Sequence, residues 1–154
     1  MQSFKDNEGQ TWNIALSIGK ARQISEKVGL DICNQDHHMQ VLGSFLDQMT
    51  FVFLIVEDQA KKRGVDVDGF ELLLEGDDVS TNASVAFLEE LENFFLRHGK
   101  RFAAHAKLTR ASVEIMKKAN ARLADMVDTG KMDSLIDDAR NQLETLILET
   151  DGNT

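Results

Sequence analysis

One segment limits the possible folds of this chain more than any other: residues 41–60. Leu42, Phe45, Leu46, Met49, Val52, Phe53, Val56 and Ala60 recur at helical spacing, while Phe51, Leu54 and Ile55 fill the remaining sides. A helix apolar nearly all round has to be buried nearly all round, so the other elements must wrap around it. Phe51–Val56 has strand propensity when read alone, but the periodicity on both sides favours a helix from Val41 to about Ala60. Lys61, Lys62 and Arg63 complement the carboxyl end of that helix, and Gly64 ends it. The apolar run Phe51–Val56 is far shorter than the roughly 20 residues needed to span a bilayer.

Around this centre the chain reads as mainly helical, of α+β class, with a short N-terminal β-hairpin followed by a compact bundle of about five helices. In the hairpin, Asp6, Asn7 and Gly9 tolerate the conformations of a tight turn and separate a Phe4 arm from an alternating Trp12, Ile14, Leu16 arm. A helix from about Lys20 to Val28 stops at Gly29, and Leu30–Cys33 connects to the polar cluster Asn34-Gln35-Asp36, which can cap the next helix. A short helix, Phe70–Glu75, closes at Gly76. A longer one starts after Ser80-Thr81-Asn82 and presents Ser84, Phe87, Leu88, Leu91, Phe94 and Phe95. Gly99 marks a break, a helix spans Lys100–Val127, and after Thr129-Gly130 a last helix opens at Asp133 or Ser134. Residues 1–108 are expected to form the hairpin and helical core domain, and residues 109–154 a C-terminal helical extension packed on the same domain.

The charge is uneven. The net charge is −9, yet residues 97–122 hold eight basic residues and a single acid, Glu114. Such polarity suits an acidic protein partner or a second copy of the chain, and its plainer reading is a solvated helix face. Nucleic acid is disfavoured as a partner, because the chain as a whole is acidic and Phe102 is the one aromatic among the basic residues. Cys33 is the only cysteine, which excludes an internal disulfide and reads as a packing residue. The N-terminus lacks a charged-then-apolar secretion pattern, so a cytoplasmic location is expected.

Residues 64–75 can be laid on a calcium loop with Asp66, Asp68, Gly69 and Glu75 in register. Gly64 stands where the first acid belongs and Glu71 where an apolar residue belongs, so capping explains the aspartates better. His37 and His38 are adjacent, point apart on a helix and read as surface residues, whereas His98 and His105 lie seven apart without an accompanying ligand set. With no phosphate loop, nucleophile elbow or paired-carboxylate motif, no catalytic residue, cofactor or metal is assigned.

Taken in order, Phe4-x-Asp6-Asn7-x-Gly9-x-Thr11-Trp12-x-Ile14, Val28-Gly29-Leu30-Asp31, Val56–Val65, Phe70, Leu74-Glu75-Gly76-Asp77 and Phe87-Leu88-Glu89-Glu90-Leu91-x-x-Phe94-Phe95 resemble a family of small tail-assembly chaperone and tail-region proteins of tailed bacteriophages and prophages. The resemblance spans about residues 4–96 and departs from the family pattern in having no proline. It implies a non-enzymatic protein of the host bacterial cytoplasm that binds the tape-measure protein or other tail proteins, with a homo-oligomer as a further option. The alternative it leaves open is a structural protein of the virion tail or connector. Candidate protein-contact residues are Trp12, Phe87, Phe94 and Phe95, together with the basic residues Arg97, Lys100, Arg101, Lys107 and Arg110. For the aromatics, packing in the core is the competing and preferred reading.

Overall fold

A computed structural model describes residues 2–152, with side chains as far as 150. The chain forms two units, the first ending at Glu114 and the second beginning at Ile115. The first unit holds strands β1 (Gln2–Lys5) and β2 (Thr11–Ile14) and helices α1 (Ile18–Val28), α2 (Gln35–Leu42), α3 (Phe45–Lys62), α4 (Val67–Leu73) and α5 (Val79–Arg97). It also holds the start of α6 (Ala103–Thr129), entered through a 3-10 turn at Lys100–Phe102. The second unit holds the rest of α6 and α7 (Lys131–Gly152).

The hairpin is antiparallel, with Phe4 opposite Trp12 and Gln2 opposite Ile14. Strand side chains alternate, so Phe4, Trp12 and Ile14 all point inward and are buried. The turn is organised by one carboxylate. Asp6 Oδ1 accepts the backbone N–H groups of Glu8 at 2.9 Å and Gln10 at 3.0 Å. Its Oδ2 accepts the indole N–H of Trp12 at 2.8 Å, inside the core. A buried indole needs an acceptor, and Asp6 supplies it while shaping the loop that brings Trp12 back. Gly9 takes the positive φ of 80° that this tight reversal requires.

The two sheet edges are covered by different helices: β1 lies along α5, and β2 along α3. Gln59 of α3 copies a third strand, its side-chain oxygen accepting from Asn13 N at 3.0 Å and its amide donating to Asn13 O at 2.8 Å. Arg63, one turn on, donates to Thr11 O at 2.9 Å and lies 4.1 Å from the Trp12 ring centroid. The free edge of β2 therefore has its peptide groups satisfied by side chains, which blocks strand addition there. At the hairpin tip, Asn7 donates to the carbonyls of Leu72 at 2.7 Å and Glu75 at 3.0 Å, fastening the end of α4. The chain leaving β2 is held as firmly. Buried Glu90 of α5 accepts Leu16 N at 3.2 Å, and Arg97 donates to Leu16 O at 2.8 Å and to Glu90 at 3.0 Å.

The central helix differs from the sequence expectation at its start. Instead of running from Val41, it is two helices, α2 and α3, which meet at 103° across Gly43 and Ser44. Ser44 caps α3 by accepting Asp47 N at 3.2 Å, a local signal that outweighs the apolar periodicity running through it. Gln48, itself buried, holds the corner by donating to Val41 O and Leu42 O at 3.0 and 3.2 Å and accepting the Ser84 hydroxyl of α5 at 2.7 Å. The separate α2 is one of the two helices by which the seven α-helices of the described residues exceed the expected five. Residues 51–56 are helical, with Phe51, Val52, Ile55 and Val56 in the core. The other ends differ less. Helix α4 starts at Val67 behind an Asp66 cap, and α5 starts at Val79, so that Ser80, Thr81 and Asn82 lie in its first turn rather than before it. Helix α7 opens at Lys131, ahead of Asp133.

The first unit extends beyond residue 108 because α6 continues to contribute to its core, through Ala106, Thr109 and Val113. In the second unit Leu123, Val127, Leu135, Ile136, Leu143, Leu146, Ile147 and Leu148 are all exposed, by 48% to 72%. No single helix among the described residues is long and apolar enough to cross a membrane.

The Asp6 carboxylate serves three N–H donors, one of them fully buried, so Asp6→Ala is expected to destabilise the fold by about 2–4 kcal/mol. Urea unfolding followed by Trp12 fluorescence measures this, and a loss below about 0.5 kcal/mol would show that the hairpin does not depend on Asp6.

Candidate functional site

Two large apolar side chains of the first unit, Phe45 and Leu46, stand exposed where the start of α3 meets the end of α4, while Ile18, Val28, Met39, Leu96 and Leu108 are exposed at other places. Ser44 begins α3 at the corner, and its inward face is taken by Gln48, Phe51, Val52 and Ile55, so the first-turn residues Phe45 and Leu46 are left outside. Phe45 is 53% exposed and Leu46 is 74% exposed. Both were expected in the buried stripe of a longer helix. That expectation fails because the capped corner reorients the residues beyond it. Phe45, Leu46 and Met49 line a groove of about 450 Å³ with Glu71, Leu74, Glu75 and Ser80. Leu72, 70% exposed, lies on the same α4. The groove is an apolar channel with Glu71 and Glu75 in its wall, shaped for a short apolar segment and electrostatically suited to one with basic neighbours.

The aromatic candidates lie elsewhere. Trp12, Phe87, Phe94 and Phe95 are buried and pack as core residues, Phe94 also bordering a pocket. Trp12 meets Phe70 edge-on at 5.0 Å, Phe87 lies 5.4 Å from Phe51, and Phe94 and Phe95 are 5.6 Å apart. Each ring already has partners inside the fold, which is the packing preferred for these aromatics on sequence grounds. The basic candidates divide. Arg97 is held by Glu90 and Leu16 O, and Arg110 pairs with Glu114 at 3.2 Å and Glu92 at 3.7 Å. Arg101 lies 5.0 Å from the Phe102 ring centroid, while Lys100 and Lys107 are exposed. The basic stretch is thus partly structural.

A second cluster has no counterpart among the sequence expectations. His38, expected on the surface, is fully buried. Its ring stacks on His105 at 5.0 Å and meets Phe95 edge-on at 5.1 Å, joining α2, α5 and α6. Its Nε2 is 2.8 Å from the hydroxyl of Thr109, and that hydroxyl donates its proton to His105 O at 2.8 Å. The one hydroxyl proton is therefore committed, and His38 must donate from Nε2, leaving Nδ1 as a buried lone pair without a protein partner. Protonating Nδ1 would place a charge in the core beside His105. Burial first and the His105 charge second push the His38 pKa down to about 4. The only sequence signal for this was the spacing of His105 and Thr109 on one helix face, which does not identify α2 as their neighbour.

Among the described residues there is no group of three or more histidine, cysteine or acidic side chains placed to hold a metal. Asp66 Oδ1 accepts Gly69 N at 2.7 Å and caps α4, as its turn chemistry suggests. His98 lies 4.6 Å from the Phe94 ring, and His37 Nδ1 accepts Asp31 N at 2.9 Å. Cys33 borders a smaller pocket of about 230 Å³ with Ile18, Arg22, Asp31 and Phe94. Burial and then Asp31 push its thiol pKa up, opposed by Arg101, so the reactive thiolate is disfavoured.

No family model, no curated protein and no solved structure matches the chain.

The lowered pKa of His38 fixes the sign of a pH effect. The unfolded chain takes up this proton near pH 6.5 and the folded chain only near 4, so stability is full above about pH 6.5 and falls as the pH drops between these values. From pH 7 to pH 5 the expected loss from His38 alone is about 2 kcal/mol. Urea midpoints for the wild type and His38→Leu at both values test it. The variant should show a shallower fall, and equal falls in the two proteins would remove His38 as the cause.

Proposed function

We propose that this protein is a non-enzymatic tail-assembly chaperone of a tailed bacteriophage or prophage, and that it receives a helical segment of the tape-measure protein in the groove of Phe45, Leu46 and Met49. The observation that carries the placement is the exposure of Phe45 and Leu46 at a rigid, capped corner beside Glu71 and Glu75. Large apolar side chains held outward on a packed scaffold suit the apolar face of an amphipathic helix. The two glutamates favour a segment with lysine or arginine flanking its apolar anchors. The assignment to tail assembly rests on the resemblance carried by the hairpin and the blocks up to Phe95. Those blocks are the parts that build this scaffold: Asp6 and Trp12 form the hairpin, and Asn7 fastens α4, one wall of the groove.

The function is tested by affinity capture of the tagged chain from phage-producing cells, with mass spectrometry of the bound proteins and of mature particles. The expected result is capture of the tape-measure protein, with this chain missing from the particles. Leu46→Asp should weaken capture about thirtyfold, the effect of losing one interface anchor, while the folded state is retained because Leu46 packs against little. Undiminished capture by the folded variant would rule out the groove. Stoichiometric presence in particles would make the chain a structural tail protein instead.

A further inference from the structure

The second unit carries two apolar stripes that its own chain leaves uncovered. On α7, Met132, Leu135, Ile136, Ala139, Leu143, Leu146 and Ile147 recur at helical spacing on one face. Leu135, Ile136, Leu143, Leu146 and Ile147 are 49% to 60% exposed. Asp133, Asp137 and Glu144 flank that stripe on one side together with Arg140, and Asp138 and Glu149 on the other together with Lys131, so acids outnumber bases five to two. On the distal half of α6, Ile115, Ala119, Leu123 and Met126 succeed one another at i, i+4, i+8 and i+11 and so share a face. Ile115 is 68% and Leu123 48% exposed. Exposed Arg122 and Lys118 flank this second stripe on one side, with Asp125 further round on that side.

The stripes match in character and oppose in charge, yet they do not meet within one chain. Gly130 alone separates the two helices, and the large apolar side chains of both stripes stay about half exposed or more. An antiparallel helix pair needs a connection of about 2–5 residues, which this chain does not provide. In proteins most of a helix's stability comes from packing its apolar face, and the large apolar side chains of the α7 face stay about half exposed. Complementary surfaces that one chain carries but cannot bring together can be satisfied reciprocally by a second chain.

We propose that residues 115–152 form a dimerisation module, in which α7 of each chain packs its acid-flanked stripe on the basic-flanked distal α6 stripe of a second copy. The contact is made twice, related by a two-fold axis. The apolar stripes form its seam, and Lys118 and Arg122 face carboxylates across it. This assembly does not depend on the tape-measure reading, because it involves only copies of this chain.

A charge exchange tests it. Variant one carries Lys118→Glu and Arg122→Glu, and variant two carries Asp137→Lys and Glu144→Lys. All four positions are exposed, so the fold of each chain is expected to survive. Sedimentation equilibrium of the full-length wild type at about 100 μM chain should show a dimer. Each variant alone should dimerise at least about tenfold more weakly, since like charges then face each other in both contacts. An equimolar mixture of the two should recover the wild-type affinity, because every contact in the mixed dimer again pairs opposite charges. A wild type that stays monomeric overturns the proposal. So does a mixture no tighter than the variants alone, or a variant one that dimerises like the wild type, which would mean that α7 pairs with something other than α6.

Discussion

The first unit depends on a carboxylate placed where carboxylates are rarely found. Asp6 is 5% exposed and faces the indole N–H of Trp12, a side chain with no exposed surface. Burying an acid is costly unless its oxygens are fully engaged, and here three N–H groups engage them. One residue thus determines the turn, orients the largest ring of the core and sets the angle at which β2 meets α3. Phe70 meets the same indole edge-on from α4, and Arg63 lies over its ring from the end of α3. The turn, β2, α3 and α4 converge on that ring, so the hairpin organises this helical unit rather than decorating it.

The same economy governs the edges and the corner. A two-stranded sheet has two free edges and little stability of its own. Here Gln59 and Arg63 complete the edge of β2, and α5 runs along β1. At the corner between α2 and α3, Gln48 donates to the carbonyls of Val41 and Leu42 at the end of α2 and ties them through Ser84 to α5. A rigid corner is what lets Phe45 and Leu46 stay exposed. On a mobile segment such side chains would fold back onto apolar surface, and the groove beside α4 would close.

Much of this was legible in local patterns. The hairpin turn, the Gly29 stop and the Asp66 cap come from residues whose backbone preferences act within a few positions, and each stands where those preferences put it. The helix break was written in Ser44-Phe45-Leu46-Asp47, but a continuous apolar stripe concealed it. Periodicity reports which side of a helix is oily; it does not report whether the helix is one piece. The aromatics Phe87, Phe94 and Phe95 carried the same ambiguity between core and contact surface, and burial decided it, with Phe87 against Phe51 of α3 and Phe95 against Phe102 and His105. Neither the groove nor the histidine stack was legible, because both bring together side chains far apart in the chain.

By itself, the sequence determined the helical class, the hairpin, the Gly29 stop and the uneven charge, all of which arise from composition, propensities and capping over a few residues. Only the tertiary structure decided that His38 is buried, that Phe45 and Leu46 are not, and that core packing continues to Val113. The physical reason is range. Backbone preference and hydrogen-bonded caps act over one helical turn, whereas burial depends on which distant helix occupies the space above a given face. The direction in which α3 leaves the corner at Gly43 and Ser44 sets that neighbour, and a single capped turn redirects every side chain beyond it.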